Sequence, residues 1–156
     1  MKRFAILILP VVLPLSAAAS DPAGFAIWTA RDLGTHAAQL RPKMGNNKVA
    51  SETLADYGHY KTMLTYREAS GAAELHEKMA DLFVIEEGDA TLVVGGEIVD
   101  RTTAGPGEVR GTAIAGGERH HLATGDTLHI PAGVPHQLLV DAGHTITYFV
   151  VKVESQ

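Results

Sequence analysis

The chain contains no cysteine. That removes disulfides, thiolate metal ligands, thiol nucleophiles and a lipidated cysteine anchor together, and leaves packing alone to stabilise the fold. A long hydrophobic run is missing as well. The apolar stretch from Phe4 to Leu15 is interrupted by Pro10 and Pro14 and is too short to span a bilayer. With Lys2 and Arg3 before it and Ala17-Ala18-Ala19 after it, this stretch reads as a secretory signal peptide over residues 1–20. The expected location is therefore periplasmic or secreted, with no membrane contact after cleavage behind Ala19 or Ser20. Basic residues are few: 13 Lys and Arg stand against 18 Asp and Glu, a net charge of −5 that becomes more negative once Lys2 and Arg3 are gone. An acidic chain with scattered cations is a poor nucleic-acid binder.

Also missing are internal repeats, low-complexity tracts and, after residue 50, any helical period of useful length. What is there instead is β-structure. A length of 156 residues suits one domain. Residues 21–48 read as an N-terminal brace or lid, in which "FAIWTA" suits a short strand and "HAAQLRPKM" a helical turn or two. From Val49 onward short β runs alternate with turn signals. In "HYKTMLTYRE", Tyr60, Leu64 and Tyr66 share one parity while His59, Lys61 and Arg67 share the other, with Met63 breaking the pattern, so the faces stay unassigned. "DLFVIEEGDATLVVGGEIVD" holds two β runs separated at Glu87-Gly88-Asp89, and Gly95-Gly96 is a hairpin signal. "TTAGPGEVRGTAIAGGERHH" reads as a long loop with one short strand. The sum, over residues 49–156, is an all-β antiparallel barrel of the jelly-roll kind behind a short irregular or helical N-terminal segment.

The chemistry concentrates in two places. In "GAAELHEKMADLFVIEEG", Glu74 and His76 lie two apart and so face one side of a strand. Asp81 has the wrong parity for an unbroken strand and rejoins them only if "EKMA" bends. It shares a face with Phe83 and Ile85, where a bare carboxylate is costly and a cation would compensate it. The second place is "GDTLHIPAGVPHQ". Behind the Pro131-Ala132-Gly133 turn, His136 opens a strand and shares its face with Leu138 and Val140. Two inward histidines with one or two carboxylates suit one divalent transition metal, such as Mn, Fe, Zn, Ni or Cu.

The remaining histidines carry weaker signals. His36, His59 and His144 read as surface or loop residues. His120 and His121 are adjacent, so at most one looks inward, and His121 is a fallback ligand. The facing of His129 is open.

"GDTLHIPAGVPH" resembles in full the second motif of the cupins: Gly, five residues, Pro-x-Gly, two residues, His. "ELHEKMADLFVIEEG" is similar to their first motif, His-x-His, three or four residues, Glu, six residues, Gly. The resemblance runs from about Met63 to Val153 and suggests a single-domain, RmlC-like, exported bacterial member. Glu74 stands where cupins have the first histidine, Asp81 where they have glutamate, and Val140 where an asparagine is common. The spacer from Gly88 to Gly125 is longer than in compact members.

The resemblance implies metal positions at Glu74, His76, Asp81 and His136. Glu74 is expected to ligate, to act as a general base, or to hold a water, and Glu77 is a spare carboxylate for the catalytic role. Mn, Fe or Zn is favoured over Ni or Cu, because a carboxylate in place of an imidazole makes the site harder. Two functions stay open: a metal-dependent enzyme of the dioxygenase, lyase or isomerase type acting on a small oxygenated molecule, or a metal- or small-molecule-binding cupin without turnover. The second expects an apolar cavity lined by Tyr60, Tyr66, Phe83 and Leu138. Arg67, Arg110 and Lys152 are candidates to receive a substrate carboxylate, although single basic residues are usually solvated surface. Homodimers are common in the family, which leaves a homodimer open here.

Overall fold

The computed structural model describes residues 21–155; residues 1–20, on which the signal-peptide expectation falls, lie outside the described residues. The first element is a helix, α1 (Ala30–Leu40), followed by a 3-10 turn at Arg41–Lys43. Its start is set by a capping box: Asp32 N–H donates to Thr29 Oγ1 at 3.2 Å, and Thr29 N–H donates to Asp32 Oδ2 at 2.9 Å. Leu33, Ala37 and Leu40, spaced by four and three, form its buried stripe. Pro42 then bars continuation of regular helix. The strand expected at "FAIWTA" does not form. Phe25 and Ile27 are exposed there, and Trp28 turns back onto Phe149 with ring centroids 5.7 Å apart.

Twelve strands follow among the described residues: β1 (Val49–Asp56), β2 (Tyr60–Arg67), β3 (Ala73–His76), β4 (Met79–Val94), β5 (Glu97–Val99), β6 (Thr102–Gly105), β7 (Glu108–Gly111), β8 (Ala113–Ala115), β9 (Glu118–Ala123), β10 (Thr127–Ile130), β11 (His136–Leu139) and β12 (Ile146–Glu154). Ten of them curl into one antiparallel sheet, ordered β1-β2-β12-β4-β11-β3-β7-β6, with β9 and β10 also paired to β4. This is the jelly-roll barrel the strand pattern led to.

The long strand β4 closes the barrel. Its first half pairs with β12 and β10, its second half with β11 and β9. The expected break at Glu87-Gly88-Asp89 is therefore a corner inside one 16-residue strand. Gly88 makes it, with φ +85°, and a Cβ there would run into the Thr145 carbonyl oxygen. A strand that bends this way can serve two sheet faces at once. Gly95-Gly96 is not a hairpin turn either. It hands the chain to β5, which pairs with β8 in a separate two-stranded ribbon. The segment read as a loop with one short strand holds four, β6 to β9, because small residues and threonines there still pair their backbones.

β2 shows which parity faces inward. Leu64 and Tyr66 point out of the barrel and pack under Leu33, Ala37, Leu40 and Ala50. Lys61, Met63, Thr65 and Arg67 point in. The helix makes this inversion possible: it gives the apolar face a cover and frees the polar face for the interior. Deeper inside, Ile85, Ala90, Leu92, Leu122, Ile130, Leu138 and Ile146 form the core.

Candidate metal centre

β3 carries Glu74 and His76 onto the barrel interior. The chain turns at Glu77-Lys78, where Glu77 N–H donates to Gly107 O at 2.8 Å, and β4 restarts in a register that brings Asp81 inward. The expected bend in "EKMA" is this turn. From the other motif, the Pro131-Ala132-Gly133 turn does more than start a strand. Gly133, at φ +77°, donates its N–H to the backbone oxygen of His76 at 2.8 Å. The two motifs are tied together at the backbone of a site residue. His136 then lies directly across from Glu74 in the β11–β3 register, and the His76 and His136 rings sit 5.3 Å apart.

Both imidazoles are buried and both have Nδ1 engaged. His76 Nδ1–H donates to Glu108 Oε2 at 2.7 Å, and His136 Nδ1–H donates to the Val134 carbonyl at 3.1 Å. Each Nε2 is thereby aimed at the same space, the arrangement that orients metal-ligating histidines. Glu74, His76 and His136 offer ligand atoms that all lie within 4.8 Å of one another, so this group could hold a metal ion. Asp81 adjoins it, its Oδ2 3.4 Å from His76 Nε2 and 3.7 Å from His136 Nε2. Its oxygens are already engaged, however. Lys152 Nζ donates to Asp81 Oδ1 at 2.6 Å and Oδ2 at 2.9 Å, and reaches His76 Nε2 at 2.8 Å. An ammonium thus supplies the cation that a buried aspartate needs.

The charges respond to this crowding. Burial raises the Glu74 carboxyl, but His76 beside it and the cations of Arg110 and Arg67 outweigh burial and bring it below the usual carboxylate range. Burial likewise raises Asp81, and His76 and Lys152 bring it below the usual carboxylate range. His136 is lowered by burial, which keeps its imidazole neutral and fit to ligate. For His76, burial lowers the imidazole while hydrogen bonds to Asp81 and Glu74 lift it to about 9. The 2.8 Å contact from the Lys152 ammonium to Nε2 nonetheless requires a lone pair there. The tautomer that fits the contacts is neutral, with its proton on Nδ1 toward Glu108.

The site opens into a cavity of about 550 Å³. Of the residues expected around it, Glu74, His76, Asp81 and Phe83 line this cavity, and His136 and Leu138 lie in a deeper recess with Tyr148 and Arg67. The structure does not bring the others in. Glu77 is exposed in the β3–β4 turn, because the bend that restores Asp81 turns Glu77 out. Tyr60 is exposed and stacks on Tyr57, with ring centroids 4.6 Å apart. Tyr66 lies on the helix-covered face, its hydroxyl donating to Glu68. His121 and His129 are exposed on β9 and β10. His36, His59 and His144 each face a carboxylate, Glu52, Glu154 and Asp89 respectively.

Two residues of the cavity, Glu108 and Tyr148, had no role in the sequence reading, and Arg110 and Lys152 were candidates there only to receive a carboxylate. Arg67 and Arg110 are 12% and 33% exposed, so neither is a fully solvated surface charge. A signal for two of them existed. "EVR" places Glu108 and Arg110 two apart, and in the β3–β7 register they sit across from His76 and Glu74 with complementary charge. Tyr148, hydrogen-bonded through its oxygen by Arg67 Nε at 2.7 Å, had no such partner pattern in sequence.

No family model matches the sequence, and no curated protein matches it. The likeness is to solved structures. The cupin domain of Cnp3 from Schizosaccharomyces pombe aligns with a TM-score of 0.51 and 8% identity over 74% of this chain and 67% of that one. The fold is the cupin fold. Among other cupin-like neighbours, the TT1209 protein of Thermus thermophilus aligns with a TM-score of 0.53 and 18% identity over 72% of this chain and 89% of that one. The DMSP lyase DddQ of Ruegeria pomeroyi aligns with a TM-score of 0.51 and 16% identity over 71% of this chain. This chain spans 51% of the lyase's length. At such identities the likeness speaks for the fold, and the chemistry has to be argued from the site.

Proposed function

We propose that this cupin is a divalent-metal enzyme of the periplasm, exported by a cleaved signal peptide and acting on a small oxygenated molecule. The observation that carries the reading is the pair of buried imidazoles, each with Nδ1 engaged and Nε2 aimed beside Glu74 at the wall of a cavity. Two neutral imidazoles oriented through Nδ1 and converging beside a carboxylate are the donor set of a divalent-metal site. Glu74, His76 and His136 would hold the ion once Lys152 leaves His76 Nε2, and the same displacement would free Asp81 as a further ligand. The donor set of imidazole and carboxylate suits Mn(II), Fe(II) or Zn(II).

The bound ion would supply Lewis-acid polarisation of a substrate oxygen or, if redox-active, dioxygen chemistry. The protein's own groups do the rest. Glu74, held below the usual carboxylate range by Arg110 and Arg67, is an anion across the working pH range. That supports ligation over the general-base role, because an efficient base sits near the operating pH. Arg67 fixes the Tyr148 oxygen, so that the phenolic O–H of Tyr148 is free to donate to a bound molecule. Phe83 beside it, with ring centroids 4.8 Å apart, limits water at the deep end.

Elemental analysis tests this. The protein is purified without chelator or affinity-tag nickel, beside His76→Ala and His136→Ala. One ion per chain that disappears in both variants is the expected result. No ion, or an ion indifferent to both substitutions, sinks the metalloenzyme. A second reading has its own observation: the Lys152 ammonium on Asp81 and His76 lets the site stand without metal, as in a non-catalytic small-molecule binder.

A further inference from the structure

Across the open end of the barrel, three strands place one residue each in a single row. Lys152 on β12 is directly opposite Lys61 on β2 and directly opposite Asp81 on β4. All three line the cavity. Like charges set directly opposite each other on neighbouring strands are destabilising, and the row needs anions to balance it. Asp81 balances Lys152. Nothing balances Lys61: among the described residues it makes no side-chain hydrogen bond and no ion pair.

The other carboxylates of the cavity are occupied. Glu74 faces Arg67, Arg110 and His76, and Glu108 is shared between His76 and Arg110. Lys61, Arg67, Arg110 and Lys152 therefore stand against Glu74, Asp81 and Glu108, a local excess of positive charge in a chain whose net charge is −5. A divalent ion in the site would increase that excess. A cavity opposite in sign to its protein attracts anions selectively. The next row inward, Met63, Val150 and Phe83, is apolar, and Arg67 and Arg110 are already paired with Glu74 and Glu108, which leaves Lys61 as the cation without a partner.

We propose that Lys61, with the Lys152 charge beside it, forms an anion subsite, and that the small molecule taken by this cavity carries an oxyanion, a carboxylate or a phosphate. The inference rests on reading the cavity as a small-molecule site, and it needs no metal to be tested. The metal-free protein, dialysed free of chelator, is titrated calorimetrically with malonate and separately with inorganic phosphate. One site is expected, and the preferred anion identifies the source of the oxyanion. Lys61→Met weakens that binding at least tenfold, the loss of one charge-assisted contact. Lys78→Met, in the exposed β3–β4 turn, leaves it unchanged. Lys152→Met weakens it as well, but because Lys152 also compensates Asp81, Lys61→Met decides. Failure of both anions to bind, or equal binding by the Lys61 and Lys78 variants, overturns the subsite. Failure of the metal reading shows separately, as an absent ion with anion binding intact.

Discussion

The interior of this barrel has two ends built on the same strands. Rows across β2, β12 and β4 run from Lys61–Lys152–Asp81 at the open end, through Met63–Val150–Phe83 and Thr65–Tyr148–Ile85, to Arg67–Ile146–Gly88. In β4 the inward series reads Asp81, Phe83, Ile85, and in β12 it reads Lys152, Val150, Tyr148, Ile146. The other end is apolar apart from Arg67, which is held by Tyr148 and Glu74, and it is stabilised by burial, worth about 1.5–3 kcal/mol for each large aliphatic side chain. The charged end gains little net stability from its ions, because desolvation offsets most of their attraction. Identical backbone pairing thus carries a stabilising half and a half that tolerates cost. A site that costs stability and persists is where function belongs.

That contrast can be broken from either end. The largest effect is expected at the apolar end. Ile146→Ala removes a fully buried side chain and should cost about 4 kcal/mol in urea unfolding, with metal stoichiometry unchanged. A stoichiometry that fell with it would mean the two ends are not separable. At the charged end, Asp81→Ala in the metal-free protein leaves the Lys152 ammonium without its carboxylate. A loss of about 3 kcal/mol is expected, the low end for a broken pair because Lys152 is 17% exposed. Asp81→Leu combined with Lys152→Met should recover most of it, and a double variant no more stable than Asp81→Ala would count against the offsetting argument.

A smaller change sharpens the comparison at the ligands themselves. Lys152→Met removes the ammonium that occupies Asp81 and His76 Nε2, so zinc affinity measured by competition with a chromophoric chelator should rise about tenfold. Unchanged or weaker affinity would mean that Lys152 does not compete with the ion. The smallest effect lies outside the barrel, at His144 and Asp89. The Asp89 hydrogen bond raises the His144 imidazole above its ordinary value. Its contribution to stability is then complete below the unfolded-state value and is lost as pH rises through the folded one. A proton NMR titration should find His144 titrating above an exposed histidine, and Asp89→Asn should bring it back.

Parts of the site could be read directly and parts could not. His76 and His136 were readable because their supports are local: a period-two pair with Glu74, and a Pro-x-Gly turn three residues ahead. Phe83 followed from the parity of Asp81. Glu77, Tyr60 and Tyr66 misled, because composition identifies carboxylates and aromatics without saying which way a bend or a covering helix turns them. Lys152 was hidden more deeply. It stands 71 residues from Asp81, and a lone lysine in a terminal strand looks solvated until the register of β12 against β4 is known.

The sequence by itself determined the strand-rich architecture and the residues that meet at the two motifs. These depend on short-range patterns: period two and the Pro-x-Gly turn ahead of His136. Only the tertiary structure decided which parity of β2 faces inward, that Gly88 bends one strand through both halves of the barrel, and that an ammonium lies among the ligands. Those outcomes depend on which distant strand lies alongside and in what register. A one-residue slip would exchange the faces of β12 and send Lys152 to solvent.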